Sequence, residues 1–269
     1  EYDYPFTRRT IADKEILESR IPLQVNDVLI AMSDGAIYAG VGKTMNFGWQ
    51  RENIKDFAEA FYDPSLSAKL IATYIVDECN RLYEGEPGDD TTVAAVRIKP
   101  RCPVNLMIGP PADPKDVNKM MALFFSKEGK RIVCGGTTSK LAADYLGKPV
   151  RASLDYNADP EIPPIAFIDG IDLVTEGVIT LSRVVEYARQ YVGGTDFSAA
   201  WATRKDGAAM IARILFDEAT DVNFFAGRAI NPAHQNPNLP INFSIKIQLV
   251  EELAACLRKM GKEVKLSYF

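Results

Sequence analysis

"GEPGDDTTVAAVRI", Gly85 to Ile98, sets two adjacent carboxylates, Asp89 and Asp90, at the mouth of an apolar stretch rich in Val and Ala. An unpaired buried carboxylate costs several kcal/mol or titrates away. Either these aspartates are solvated turn residues, or something positive sits on them. An earlier stretch poses the same question. "NDVLIAMSDG" opens with a turn residue, runs through the apolar Val28–Met32, and ends in Asp34-Gly35. It reads as a strand buried on both faces. If the two strands are antiparallel neighbours, the end of one lies beside the start of the other, and Asp34 meets Asp89 and Asp90 at one rim. Side chains alternate along an extended backbone, so Asp89 and Asp90 are expected to face opposite ways, and only one need join Asp34.

Between these strands, "RENIKDFAEAFY" and "SLSAKLIATYIVDECNRLYEG" have helical periodicity. In the second, Leu70, Tyr74, Ile75, Cys79 and Leu82 fall on one face, and Gly85 is the stop. "KPRCPVN" reads as a linker and places a boundary near Lys99 to Pro103, giving domains over 1–100 and 104–269. After it, strand and helix alternate. "VNLMIG", "KRIVC", "PIAFIDGIDLVTEG", "DVNFFAGRAI" and "KEVKLSYF" read as strands or strand pairs. "PADPKDVNKMMALFFSKEG", "TSKLAADYLG", "VITLSRVVEYARQYV", "DGAAMIARILFDEA" and "SIKIQLVEELAACLRKMG" read as helices, the last with Leu249, Val250, Leu253, Cys256, Leu257 and Met260 on one side. That alternation is the signature of an α/β sandwich.

The bulk properties exclude several functions. The 269 residues suit two domains, and the net charge of −5 comes with no basic stripe that would hold nucleic acid. No apolar run approaches the ~20 residues of a membrane helix, so no membrane partner is expected. Cys79, Cys102, Cys134 and Cys256 are scattered and read as reduced residues of a cytoplasmic protein. With His234 as the one histidine, zinc-hydrolase and Ser–His–Asp chemistry lack material. The opening "EYDYPFTRRTIADKEI" reads as a continuing segment rather than a signal peptide, as in a piece of something longer.

Converging carboxylates without nearby His or Cys are hard oxygen ligands, which suit Mg²⁺ or Mn²⁺. Two such ions roughly 3.5–4 Å apart activate a water for in-line attack on a phosphoryl group. The alternative is that Asp-Gly and Gly-Asp-Asp are ordinary turn sequences.

"DVLIAMSDGAIYAGVG", the two helices and "PGDDTTVAAVRI" together resemble the second half of metal-dependent protein serine/threonine phosphatases of the 2C type, in the bacterial stage II sporulation protein E branch. The resemblance covers roughly residues 1–99. It implies a partial α-β-β-α sandwich, α+β in class, followed by the α/β domain. It also implies a hydrolase that uses Mn²⁺ or Mg²⁺ to remove phosphate from phosphoserine or phosphothreonine in a partner phosphoprotein, as in signalling. Water is the nucleophile. Asp34 and Asp89 match the metal-holding, catalytic aspartates, Asp90 is their neighbour in the metal set, and Gly35 and Gly88 match the tight-turn glycines. The family also needs an earlier Asp-Gly motif. Asp3, Asp13 and Asp27 do not supply it, so activity is expected of a parent protein rather than of this chain. A sandwich short of its early strands exposes strand edges, so either a homo-oligomer or a partly disordered first domain is expected.

The second domain is similar to a C-terminal extension of some such phosphatases of anaerobic bacteria. "VCGGTTSK", Val133 to Lys140, reads as strand, glycine turn and helix. Gly135, Gly136, Thr137, Thr138 and Ser139 are the candidate ligand-binding residues, since amides at a helix start hold anions. The spacing is neither that of a P-loop nor G-x-G-x-x-G. The competing reading has Thr137, Thr138 or Ser139 capping the helix. Asp169, Asp172 and Glu176 read first as turn and cap residues. "GRAINPAHQNPNLP", with Arg228 and His234, reads first as an ordered connector. The rival to catalysis is a ligand-sensing or protein-binding regulatory module.

Overall fold

The computed structural model describes residues 5–64, 66–152, 165–194, 201, 204–229 and 245–269. The chain divides into two compact units, Glu1–Pro100 and Arg101–Phe269.

The first unit opens with a hairpin, β1 (Phe6–Ile11) and β2 (Lys14–Ser19), where sequence reading gave only a continuing segment. Its two-residue turn is Ala12-Asp13, both at positive φ (48° and 61°), the backbone that matches the twist of paired strands. The pair β3 (Val28–Met32) and β4 (Val93–Arg97) is antiparallel, with Met32 opposite Val93 and Val28 opposite Arg97. Between them lie α1 (Asp34–Ile37), α2 (Arg51–Phe61) and α3 (Ala68–Leu82). The Ser67 hydroxyl accepts from the Leu70 N–H and starts α3.

Val28, Ile30, Met32, Val93 and Ala95 pack against a cluster containing Ile54, Ile71, Ile75, Cys79 and Leu82. Leu29, Ala31, Ala94 and Val96 alternate with them and are exposed. The expectation of a strand buried on both faces is therefore corrected: among the described residues only one face of β3 is covered. The inward row of α3 is Ile71, Ile75, Cys79 and Leu82; Tyr74 is exposed and Leu70 half-buried.

In the second unit, seven strands form one sheet in the order β11–β10–β5–β6–β9–β8–β7. They are β5 (Pro103–Ile108), β6 (Lys130–Cys134), β7 (Arg151–Ala152), β8 (Ala166–Ile168), β9 (Ile171–Thr175), β10 (Asp221–Ala226) and β11 (Glu263–Tyr268). The run β11–β10–β5–β6–β9 is parallel, and β8 and β7 are added antiparallel. The helices are α4 (Val117–Phe125), α5 (Gly136–Leu146), α6 (Val178–Val192), α7 (Gly207–Ala212) and α8 (Ile245–Lys259). Alternation along β5 decides the layers. Met107 joins Met120, Met121 and Phe124 of α4 and Ala142 of α5, whereas Leu106 and Ile108 join Val184, Ile211, Val250 and Leu253 on the other side. This is a mixed α/β unit with helices on both faces of its sheet. The inward side of α8 is Val250, Leu253, Ala254, Cys256 and Leu257, with Leu249 and Met260 partly buried at its margin. Among the described residues no helix is long and apolar enough to cross a membrane.

Three of the four cysteines are buried, and Cys102 is half-buried. Burial pushes the Cys79 thiol up to about 11 and the Cys134 thiol up to about 12. Only the thiolate reacts. A disulfide reagent at pH 8 is therefore expected to label Cys102 first in the native chain, and Cys79 and Cys134 only after unfolding. Mass spectrometry of the labelled peptides checks the order; rapid native labelling of Cys134 would contradict it.

Candidate active site

Asp34 is the first residue of α1, directly past the end of β3. Asp89 and Asp90 lie in a bend ahead of β4, which begins only at Val93. The strand alternation expected for this pair therefore does not apply. The Asp89 carboxylate turns back instead and accepts from the Asp90 N–H at 2.7 Å. All three carboxylates belong to exposed residues.

The Ser33 hydroxyl holds the two loops together. It accepts from the Thr92 N–H at 2.9 Å and donates to the Asp90 carbonyl at 3.0 Å. The Ser33 N–H in turn donates to the Thr92 carbonyl at 3.0 Å. This continues the β3–β4 ladder past the last strand pair and fixes Asp34 opposite the Asp89–Asp90 bend. Gly35 makes the approach possible, because a Cβ there would stand 2.5 Å from the Asp90 carbonyl oxygen. Below the rim, the Tyr83 hydroxyl donates to the Gly35 carbonyl at 2.8 Å. Burial raises the Tyr83 pKa, and Asp89, Cys79 and Asp34 raise it further. Asp34 and Asp89 thus act on the same buried phenol.

Sequence reading missed Ser33 and Tyr83. Ser33 had a signal, its place between a strand and Asp34. Tyr83 extends the Ile75–Cys79–Leu82 row by one residue, which was also visible. The exposed carboxylates are the right donor chemistry for a hard divalent cation. Among the described residues, however, no group of three or more His, Cys, Asp or Glu is placed to hold a metal ion. Asp34 and Asp89 each supply exposed oxygen donors of that chemistry, from the two segments that Ser33 joins.

In the second unit, Gly135 is the residue before α5, and no side chain caps the helix. The capping expectation is corrected. The Thr138 hydroxyl accepts from the Gly109 N–H at 2.9 Å, and the Ser139 hydroxyl donates to the Gly135 carbonyl at 2.8 Å. Gly136 and Thr137 are exposed, and among the described residues their N–H groups have no acceptor. Asp172 accepts from the Arg131 N–H, Glu176 from the Ile179 N–H, and Asp169 pairs with Lys148 at 2.7 Å, so all three are structural. His234 and its prolines lie outside the described residues.

Residues 10–99 match the family model described as stage II sporulation protein E (SpoIIE). Two solved structures of the phosphatase domain of the cell fate determinant SpoIIE from Bacillus subtilis, one of them Mn presoaked, are similar at 26% identity. They cover 32% and 35% of this chain, with TM-scores of 0.25 and 0.26. The chain spans 37% and 41% of those solved chains. No curated protein matches it.

Two outcomes test the clamp. Ser33→Ala removes both bonds to the Asp89–Thr92 segment and is expected to cost the first unit about 1–3 kcal/mol, the scale for stranding hydrogen-bonding groups. Denaturant melts followed by Trp49 fluorescence check it, and an unchanged midpoint would deny the clamp its role. For Tyr83, a folded-state pKa above the unfolded value makes its contribution complete below the ordinary phenol range and lost as pH rises through the raised value. Stability of the first unit is expected to fall at alkaline pH more steeply in the native sequence than in Tyr83→Phe. Parallel pH profiles would refute this.

Proposed function

We propose that residues 10–99 contribute part of the centre of a metal-dependent serine/threonine phosphatase, with Asp34 and Asp89 as metal-holding carboxylates and Asp90 beside them. The observation that supports it best is the Ser33 clamp, which joins the ends of β3 and β4 so that both carboxylate-bearing loops share one rim. The match of the same residues to the SpoIIE family model supports it independently. The substrate is phosphoserine or phosphothreonine in a partner protein.

Mn²⁺ or Mg²⁺, when bound, supplies charge neutralisation at the phosphoryl group and a water of lowered pKa. The chain's own residues do the positioning. Asp34 and Asp89 present exposed oxygens from two backbone segments that cannot drift apart while Ser33 bridges them. Tyr83, from beneath, fixes the Gly35 carbonyl and with it the start of α1. Asp90 contributes its carbonyl to the clamp and keeps its carboxylate in solvent. The resemblance calls for a further carboxylate, from an earlier Asp-Gly motif, to complete the set.

The test is phosphopeptide hydrolysis by a parent protein containing this chain. Turnover should stop on chelation and return with Mn²⁺. Asp34→Asn should lower kcat by about a hundredfold or more, the scale of losing one electrostatic partner of a transition state. Its melting temperature should hold, because the residue is exposed and its neighbours carry like charge. Full turnover in Asp34→Asn would remove it from the site. Absence of metal-dependent turnover would leave the regulatory-module reading in its place.

A further inference from the structure

The parallel part of the second unit's sheet grows in two directions from β5. The chain adds β6 and then β9 on one side, returns to add β10 on the other side of β5, and finishes with β11. The order therefore reverses between β5 and β10. In open α/β sheets, ligands bind outside the carboxyl ends of the strands at such a reversal, because the loops there diverge to opposite faces and leave a crevice.

Both strands end there in glycine. Gly227 follows β10 and Gly109 follows β5; a Cβ on Gly227 would lie 2.3 Å from the Gly109 carbonyl oxygen. The two backbones touch with no side chain between them. A Cβ on Gly109 would itself lie 2.2 Å from the Lys246 ammonium nitrogen, so the second residue of α8 lays its charge across the mouth of the reversal. The Lys246 Nζ donates to the Ala229 carbonyl at 3.1 Å. Burial pulls its pKa down, and among the described residues no carboxylate acts to raise it again. A half-buried ammonium without a counter-charge is costly unless an anion joins it. On the other flank of Gly109, its N–H reaches Thr138 in the first turn of α5, where the Gly136 and Thr137 amides have no acceptor among the described residues. An ammonium with no carboxylate partner among the described residues thus stands on one side of Gly109, and open amides stand on the other.

The geometry points to a binding site for a phosphate-bearing small molecule at the β5/β10 reversal, with Lys246 as its counter-ion and the Gly136 and Thr137 amides as further donors. Phosphate suits this set better than carboxylate, because its oxygens can accept from an ammonium and from two amides at once. Gly109 is itself buried and, having no side chain, lets the Lys246 ammonium lie against the backbone at the end of β5. This role belongs to the second unit and stands apart from the phosphatase reading of the first.

Isothermal titration calorimetry of the full chain with pyrophosphate, ATP, inorganic phosphate and malonate tests it. Saturable binding is expected for the phosphate compounds and weaker binding for malonate. ATP binding more tightly than pyrophosphate would identify a nucleotide as the source of the group; equal binding would identify the phosphates alone. Lys246→Met should weaken pyrophosphate binding by about tenfold or more, as expected for loss of one charge-assisted contact. Lys246→Arg should lose less. Because Lys246→Met removes an uncompensated charge, its melting temperature without ligand should hold or rise, while the rise induced by pyrophosphate in the native chain disappears. Asp34→Asn should leave this binding unchanged, so failure of the phosphatase reading would not disturb the result. No saturable heat with any phosphate compound, or equal binding by the native chain and Lys246→Met, would overturn the site.

Discussion

A β-strand that stops inside a folded unit leaves amides that the ladder no longer serves; each needs another acceptor, and where it is buried, as at Gly109, going without one costs about 1–3 kcal/mol. In both units a side-chain hydroxyl answers that constraint. Ser33 takes the Thr92 amide past the end of β3, and Thr138 takes the Gly109 amide past the end of β5. Each bond ties a strand's end to a neighbouring segment from far along the chain. In the first unit the tie sets Asp34 against the Asp89–Asp90 bend. In the second it holds the start of α5 against the loop after β5. Asp34, the Asp89–Asp90 bend and the start of α5 are each held by one of these two bonds.

The two rims that result have opposite electrostatic character. The first collects exposed carboxylates and offers oxygen lone pairs, which favours cations. The second collects an ammonium and open amides, which favours anions. Neither rim uses histidine or cysteine from the described residues, and the buried thiols are too weakly acidic to serve as nucleophiles near neutral pH.

Much of this was legible in the sequence, because period and punctuation carried it. Val28–Met32 and Val93–Arg97 stand out as apolar runs beside turn residues, and from antiparallel pairing, taken as the condition, it followed that their aspartates meet at one rim. The alternation of strand and helix after residue 103 was equally plain. What periodicity could not choose was which of two adjacent helical rows faces inward. Leu70–Tyr74 and Ile71–Ile75 are one residue apart, and only the covering surface selects the second. Hydroxyl partners were also beyond reach. Thr137, Thr138 and Ser139 all suit a helix cap, but the Gly109 amide draws Thr138 away, and that amide lies 29 residues distant in sequence. Lys246 carried no motif at all. Its interest comes from a strand order that no local pattern encodes.

The segment after α7 winds as a π-helix from Arg213 to Glu218, and the Ala219 N–H reaches back to the Ile214 carbonyl. Such a turn is what an α-helix becomes when one residue is inserted and its ends are kept in place. Leu215 and Phe216 stay in the core, and β10 starts on time at Asp221. Related chains can therefore differ in length by one residue inside this helix rather than in a loop. An alignment that forces the gap into the loop before β10 would shift Leu215 and Phe216 out of register and misplace the core they fill.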